Sequence, residues 1–313
     1  MRSGRRIFCL MVQWLHDDAD VKKRVYAAVL ILPINLLGDD ALIKRLITTI
    51  IGLPLVILIV NHGGLPLLLV CMILSLVGLR ELYRAFSKGD KPVHIVGYVF
   101  TVVYFGAVFV FGAGHWLLIA LTLFIVCTQT LLVIMFNRLK LEDIVVTVYG
   151  FLYVPFLLSF IVLTRDHSLG QFYVWLIFTS AFGCDTFAYI TGVTLGRHKL
   201  KNTPSPKKSV EGLIGGVLGA AFVGWLYGFF VVRFADPEAT VNFMLFATVI
   251  SLFGAVFSVI GDMAASAIKR RTDIKDFGAL LPGHGGVLDR VDSVIIVAPI
   301  VYLVLHVLIW IVG

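Results

Sequence analysis

The 313-residue sequence is poor in charge: only 14% of its residues are Asp, Glu, Lys or Arg, whereas 59% are hydrophobic. Soluble domains carry about 25% charged and about 45–50% apolar residues. With so few charges to cover a water-soluble fold, the composition predicts an integral membrane protein. The four cysteines are scattered, and three of them lie within apolar runs. Neither a zinc-ligand spacing nor a disulfide framework follows from that distribution.

Long apolar runs recur regularly from Leu46 onward. A transmembrane helix needs about 20 predominantly apolar residues. The sequence therefore predicts an all-α, polytopic membrane protein with about nine transmembrane helices. The predicted spans lie near residues 46–61, 65–79, 93–112, 116–136, 144–163, 172–192, 210–232, 242–260 and 293–312.

Residues 1–41 are predicted to form an N-terminal extension, cytoplasmic or interfacial, ahead of a membrane-embedded domain at 42–313. Three arginines precede the short apolar run Ile7–Trp14, as in a signal peptide, but no small-residue cleavage site follows. The next apolar run, Val25–Gly38, is 14 residues long and contains a proline. That is shorter than a membrane span, so this arm is interpreted as an anchor at most.

Lysine and arginine lie almost entirely on one side of this nine-helix arrangement. Of the 26 basic residues, only Arg165 and Arg233 fall on the other side. Cytoplasmic loops of membrane proteins are enriched in Lys and Arg, so the N-terminus and both large polar loops are predicted to face the cytoplasm. The net charge of +7 is therefore attributed to topology. It predicts contact with anionic lipid headgroups and no nucleic-acid partner.

The first polar segment, 185–211, begins with Asp185, an acid inside a predicted span. Charges at membrane depth are costly and usually face a wet cavity or a functional site. The segment continues through Lys207 and Lys208 to Ser209, a residue type that caps helix N-termini. A charge run is most often a solvated loop, but cations beside a helix N-terminus also suit a polyphosphate.

The second polar segment lies between two apolar runs near the C-terminus and carries five Asp together with a Pro-Gly-His-Gly-Gly turn. Helical spacing would place Asp262, Ser266 and Lys269 on one face. The same spacing would place Asp289 and Asp292 together at the head of the last span.

Carboxylates that meet from two helices form a hard-oxygen site of the kind that Mg²⁺ prefers, with water and substrate phosphate completing its shell. Asp262, Asp289 and Asp292 are therefore the predicted metal ligands. A role for a second, monovalent cation is left open.

Two motifs stand out in these segments. The first reads Ser205-Pro206-Lys207-Lys208-Ser209-x-Glu211-Gly212. The second covers 27 residues and reads Ser266-x-Ile268-Lys269-Arg270, four residues, Lys275-Asp276-x-Gly278, two residues, Leu281-Pro282-x-His284-Gly285-Gly286-Val287-x-Asp289-Arg290-Val291-Asp292. The longer motif resembles the signature of phosphatidate cytidylyltransferases, also called CDP-diacylglycerol synthases, and the shorter one resembles a second conserved region of that family. The likeness extends from about Leu42 to the C-terminus.

The resemblance implies transfer of CMP from CTP to phosphatidate, which gives CDP-diacylglycerol and pyrophosphate, with Mg²⁺ as cofactor. The residues assigned to catalysis are Asp262, Asp289, Ser266 and Lys269. The residues assigned to substrate binding are Lys207, Lys208, Arg270, Arg290, His284 and Asp185. A purely structural role of His284 in the glycine turn and a homodimer are both left open. The expected location is a bacterial inner membrane, with a polar cavity facing the cytoplasm.

Three other classes of protein fit the sequence less well. A transporter would place acids near span centres and show repeat symmetry between its halves, whereas these acids cluster at one membrane face. A membrane scaffold would not need the spacing of Asp, Lys and Gly. An alcohol phosphatidyltransferase would carry an Asp-Gly…Ala-Arg…Gly…Asp…Asp pattern, which the sequence lacks.

Overall fold

The computed structural model describes residues 52–87, 91–235, 241–280 and 285–312. The predicted extension at 1–41 lies outside these ranges. All the regular elements of the described part are helices, and α5 contains a π-helical turn at Leu152–Phe156. In chain order the helices are α1 (Gly52–His62), α2 (Gly64–Phe86), α3 (Pro92–Phe111), α4 (His115–Ile134), α5 (Leu141–Arg165), α6 (Gly170–Thr194), α7 (Val210–Phe234), α8 (Val241–Arg271) and α9 (Leu288–Val312).

Eight helices of the described part, α2 to α9, are long and apolar enough to cross a membrane. The prediction of an all-α protein with several membrane spans is thereby confirmed. Helix α1 is apolar but shorter than a span, and the residues before Gly52 lie outside the described ranges. The predicted total of about nine spans is therefore not confirmed.

Three helices extend beyond the apolar runs that predict them. Helix α2 continues past residue 79 to Phe86, α8 continues past residue 260 to Arg271, and α9 begins at Leu288 rather than at 293. Each extension carries charged residues, which a hydropathy pattern assigns to loops. In the fold these residues form the polar ends of long helices, and they gather at one end of the bundle.

Helices α6 and α7 form the most extensive helix pair. A Cβ added at Gly216 would lie 2.8 Å from the carbonyl oxygen of Cys184, so only glycine allows this approach. Small residues at helix crossings are the usual means of close packing in membranes, as the glycine pattern of α7 predicts. Helix α7 packs in turn on α8, and α8 on α9.

The two ends of the bundle differ in chemistry. At one end, Arg165 donates hydrogen bonds to the carbonyl oxygens of Val60 and Asn61 at 3.1 and 2.8 Å, and thereby satisfies the C-terminus of α1. At the opposite end lie the α6–α7 loop and the α8–α9 loop, which carry the two sequence motifs.

Candidate functional site

The basic loop between α6 and α7 is folded around Glu211. The Glu211 carboxylate accepts the backbone N–H groups of Arg197 and His198, both at 3.1 Å, and also pairs with the His198 ring. Lys199 and Ser209 form an antiparallel bridge across the loop. The Ser209 hydroxyl accepts a backbone N–H from the first turn of α7 at 3.2 Å, which confirms the predicted cap. These contacts fix the backbone from which the lysines project.

A cavity of about 320 Å³ lies beside this loop, between α6 and α7. Its polar lining consists mainly of Asp185, Lys199, Lys207 and Lys208. Three ammonium groups against one carboxylate give the cavity a positive balance, which suits an anionic ligand. Tyr189 is exposed on the outer surface of α6 and also lines the cavity. Asp185 and the pair Lys207 and Lys208, predicted on separate grounds, therefore line the same cavity.

An ion pair joins this cavity to α8. Lys208 Nζ contacts Asp262 Oδ2, and the two side chains are 25% and 27% exposed. Asp185 and Asp292 both lie close enough to Asp262 for the carboxylates to interact through their charges. Helices α8 and α9 touch at this level, since a Cβ added at Gly261 would lie 2.9 Å from the carbonyl oxygen of Asp292. Carboxylates of three helices therefore lie close to one another, and Lys208 pairs with one of them.

A second ion pair lies further along α8. Lys269 Nζ is 2.9 Å from Asp289 Oδ1, and the Asp289 side chain is only 5% exposed. Asp289 Oδ2 also accepts the backbone N–H groups of Phe277 and Gly286, at 2.8 and 3.0 Å. A buried carboxylate requires such a charged partner and hydrogen bonds to offset its lost hydration. Asp289 thus pairs with α8 and closes the α8–α9 loop at the same time.

The other predicted site residues belong to α8, to α9 and to the segment between them. Ser266 is half-buried on α8, one turn beyond Asp262. Asp292 accepts the next backbone N–H of α9 at 2.8 Å. Arg270 and Arg290 are exposed near the loop, whereas His284 lies outside the described residues.

Two residues near the site are not identified by sequence reasoning. Glu81, on α2, is 7% exposed and accepts the backbone N–H groups at the start of α9. Its only sequence signal is an acid that follows Arg80 just beyond an apolar run. Tyr153 lies in the π-helical turn of α5, and its buried hydroxyl has no hydrogen-bond partner among the described residues. Nothing in the sequence distinguishes Tyr153 from the other tyrosines.

Comparison with known proteins shows the family to which the chain belongs. Residues 43–308 match the model of the Cytidylyltransferase family. A protein named phosphatidate cytidylyltransferase from Staphylococcus epidermidis is 33% identical over 269 residues, which cover 83% of this chain and 98% of that protein. Proteins of the same name from Staphylococcus aureus and Staphylococcus haemolyticus are 35% and 32% identical, with the same coverage of both chains. The chain therefore belongs to the cytidylyltransferase family.

Proposed function

We propose that this protein is a phosphatidate cytidylyltransferase, which transfers CMP from CTP to phosphatidate and releases pyrophosphate. The main structural support for the proposal is a basic cavity at one end of the bundle with two ion pairs beside it, Lys208–Asp262 and Lys269–Asp289. Family membership and the names of the relatives support the reaction and its two substrates. The test is CTP-dependent formation of CDP-diacylglycerol in detergent. Pyrophosphate release that does not require phosphatidate would contradict the proposal.

Both substrates are anions, so the transfer requires neutralisation of charge and alignment more than covalent catalysis. A phosphate oxygen of phosphatidate attacks the α-phosphorus of CTP. As that P–O bond forms, the bond from the α-phosphorus to the pyrophosphate oxygen breaks, and pyrophosphate leaves with the electron pair. Lys207 and Lys208 bind phosphate oxygens at the cavity, and Lys269, Arg270 and Arg290 neutralise charge at the α8–α9 loop. Ser266 orients a phosphate oxygen or a water rather than acting as a nucleophile.

Magnesium suits the acidic side chains of this site. Asp262, Asp289 and Asp292 would provide the carboxylate oxygens that Mg²⁺ prefers, with Asp262 exchanging its contact to Lys208 and Asp289 its contact to Lys269 for the ion. In the described part of the chain, no group of three or more His, Cys, Asp or Glu side chains is placed to enclose a metal by itself. Water and substrate phosphate would therefore complete the shell, which is the usual arrangement for Mg²⁺. When bound there, the ion supplies positive charge to the reacting phosphates.

Replacing Lys208 by alanine is expected to lower kcat/KM for CTP by about 10-fold or more, because a charge-assisted hydrogen bond contributes about 1.5–3 kcal/mol. The measurement is steady-state kinetics normalised to correctly inserted protein. Lys201→Ala is the matched control, since Lys201 is an exposed lysine of the same loop that does not line the cavity. Equal kinetics for the two variants would mean that Lys208 serves only topology.

The site is proposed to face the cytoplasm of a bacterial inner membrane. CTP is soluble and must reach the site from that side, and the distribution of basic residues predicts the same orientation. We expect an impermeant thiol reagent to label Ser168→Cys, but not Lys201→Cys, in intact spheroplasts of a cysteine-free variant. Both positions are exposed and lie at opposite ends of the bundle. The reverse pattern would leave CTP without access and contradict the proposed orientation.

A further inference from the structure

Glu81 makes an unusual contact for an acid in a membrane helix. Its side chain is almost wholly buried, and its two oxygens accept the backbone N–H groups of Val287 at 3.0 Å and Leu288 at 2.8 Å. These two N–H groups lie at the start of α9. The first N–H groups of a helix have no acceptor within the helix itself. The usual N-cap residue directly precedes its helix. Here the capping carboxylate comes from α2, 207 residues earlier in the chain than Leu288.

The same carboxylate determines where glycine is needed in the α8–α9 loop. A Cβ added at Gly286 would lie 2.6 Å from Glu81 Oε2, and one added at Gly278 would lie 2.9 Å from Glu81 Cδ. A real Cβ does not approach so closely, so both positions exclude a side chain while Glu81 is in place. Two glycines of the longer motif are thus explained by one acid outside it. The chain therefore packs against Glu81 at Gly278, before the undescribed residues of the loop, and at Gly286, after them.

Asp289 contacts the same two segments of the chain, one next to Gly278 and one at Gly286. It accepts the N–H groups of Phe277 and Gly286 and pairs with Lys269. The first turn of α9, which carries Asp289, is therefore clamped between the Glu81 carboxylate and the lysine of α8. Any movement of the Glu81 contact shifts the backbone next to a predicted site residue.

We infer that Glu81 is a positioning residue of the CMP-transfer site, and that its carboxylate fixes the start of α9 so that Asp289 faces Lys269. This role rests on the proposed function. Glu81 does not bind the substrates directly, because it is an acid, both substrates are anions, and its oxygens already accept backbone N–H groups. Its influence on the reaction passes through the geometry of α9.

The test is Glu81→Gln, with Glu142→Gln as the control. Glutamine keeps one acceptor oxygen but turns an NH₂ group toward the second backbone N–H, so one of the two contacts is lost. Glu142 is an exposed acid at the start of α5, at the same end of the bundle. We expect Glu81→Gln to lower kcat by about 100-fold, as for a displacement of about 1 Å at a reacting centre. The KM for CTP should change far less, because the cavity lysines are not displaced.

A second readout does not depend on activity. Backbone amide hydrogen exchange in the peptide covering 285–292 should accelerate in Glu81→Gln, while exchange in α6 and α7 stays unchanged. Faster exchange with an unchanged kcat per folded molecule would overturn the positioning role and leave Glu81 as a stabilising cap only. Unchanged exchange and unchanged kcat would overturn the inference altogether. A wild-type protein that forms no CDP-diacylglycerol would instead overturn the proposed function, and the exchange result would still report on the cap.

Discussion

Asp262→Asn is expected to lower kcat by about 100-fold or more, because the proposed Mg²⁺ would lose a ligand and an ion that neutralises the reacting phosphates contributes several kcal/mol of transition-state stabilisation. The protein should still insert and fold, since the Asp262 side chain is 27% exposed and its neighbour Lys208 is 25% exposed. The Lys208 ammonium therefore remains partly hydrated when its partner loses its charge. The measurement is the rate of CDP-diacylglycerol formation at saturating CTP and Mg²⁺.

The matched control for this variant is Asp273→Asn. Asp273 is an exposed acid just beyond α8, and its φ of 55° is a left-handed conformation that asparagine also tolerates. The control should keep wild-type turnover and stability. Near-normal turnover of Asp262→Asn at saturating Mg²⁺ would show that this carboxylate is not part of the reaction.

Asp289→Asn is expected to reduce both turnover and stability, in contrast to Asp262→Asn. Its side chain is 5% exposed, and its loss leaves the Lys269 ammonium largely buried without its partner. Breaking a buried ion pair in this way costs about 3–5 kcal/mol of folding stability. The two backbone N–H groups that Asp289 accepts would also lose their charged acceptor. Thermal unfolding in detergent and kcat per folded molecule measure the two effects separately.

A double variant separates the structural from the chemical role of this pair. Asp289→Asn combined with Lys269→Met removes both charges, so no buried charge remains unpaired, and part of the lost stability should return. Turnover should stay at the level of the single variant, because both groups are proposed to act on substrate phosphates and their metal. Recovery of turnover together with stability would show that the pair acts through folding alone.

Local spacing predicts the faces of the site helices, but not the partners of the residues on those faces. Asp262, Ser266 and Lys269 follow one another at helical spacing in the sequence. Helix α8 confirms that all three lie on one helix. The contacts Lys208–Asp262 and Glu81–Leu288 depend on how α2, α7, α8 and α9 pack. In lipid that packing is directed by small residues and polar contacts rather than by hydrophobicity. A hydropathy pattern carries little of that information.

The ends of the helices cannot be predicted from the apolar runs, for a related reason. An apolar run reports the residues that lie in hydrocarbon, whereas a helix ends where its backbone groups find other partners. In α9 those partners are the oxygens of Glu81, so the helix begins at Leu288, five residues before its apolar run. In α8 the basic residues Lys269, Arg270 and Arg271 complete the helix, where cations are favoured by the helix dipole.

The length of α8 determines how far the proposed site residues lie from the centre of the bilayer. Its 31 residues correspond to about 46 Å, whereas the hydrocarbon layer is about 30 Å thick. Asp262 and Lys269 are separated by about 10 Å along this rod, so they sit at different depths. In the proposed reaction, phosphatidate is held at headgroup depth by its acyl chains and CTP arrives from water, so the two substrates would meet along this polar end of α8. The apolar part of α8 ends near residue 260 and its length matches the hydrocarbon layer, so the remaining length carries Asp262 and Lys269 beyond that layer. A change in bilayer thickness would therefore shift the proposed site residues relative to the lipid phosphates.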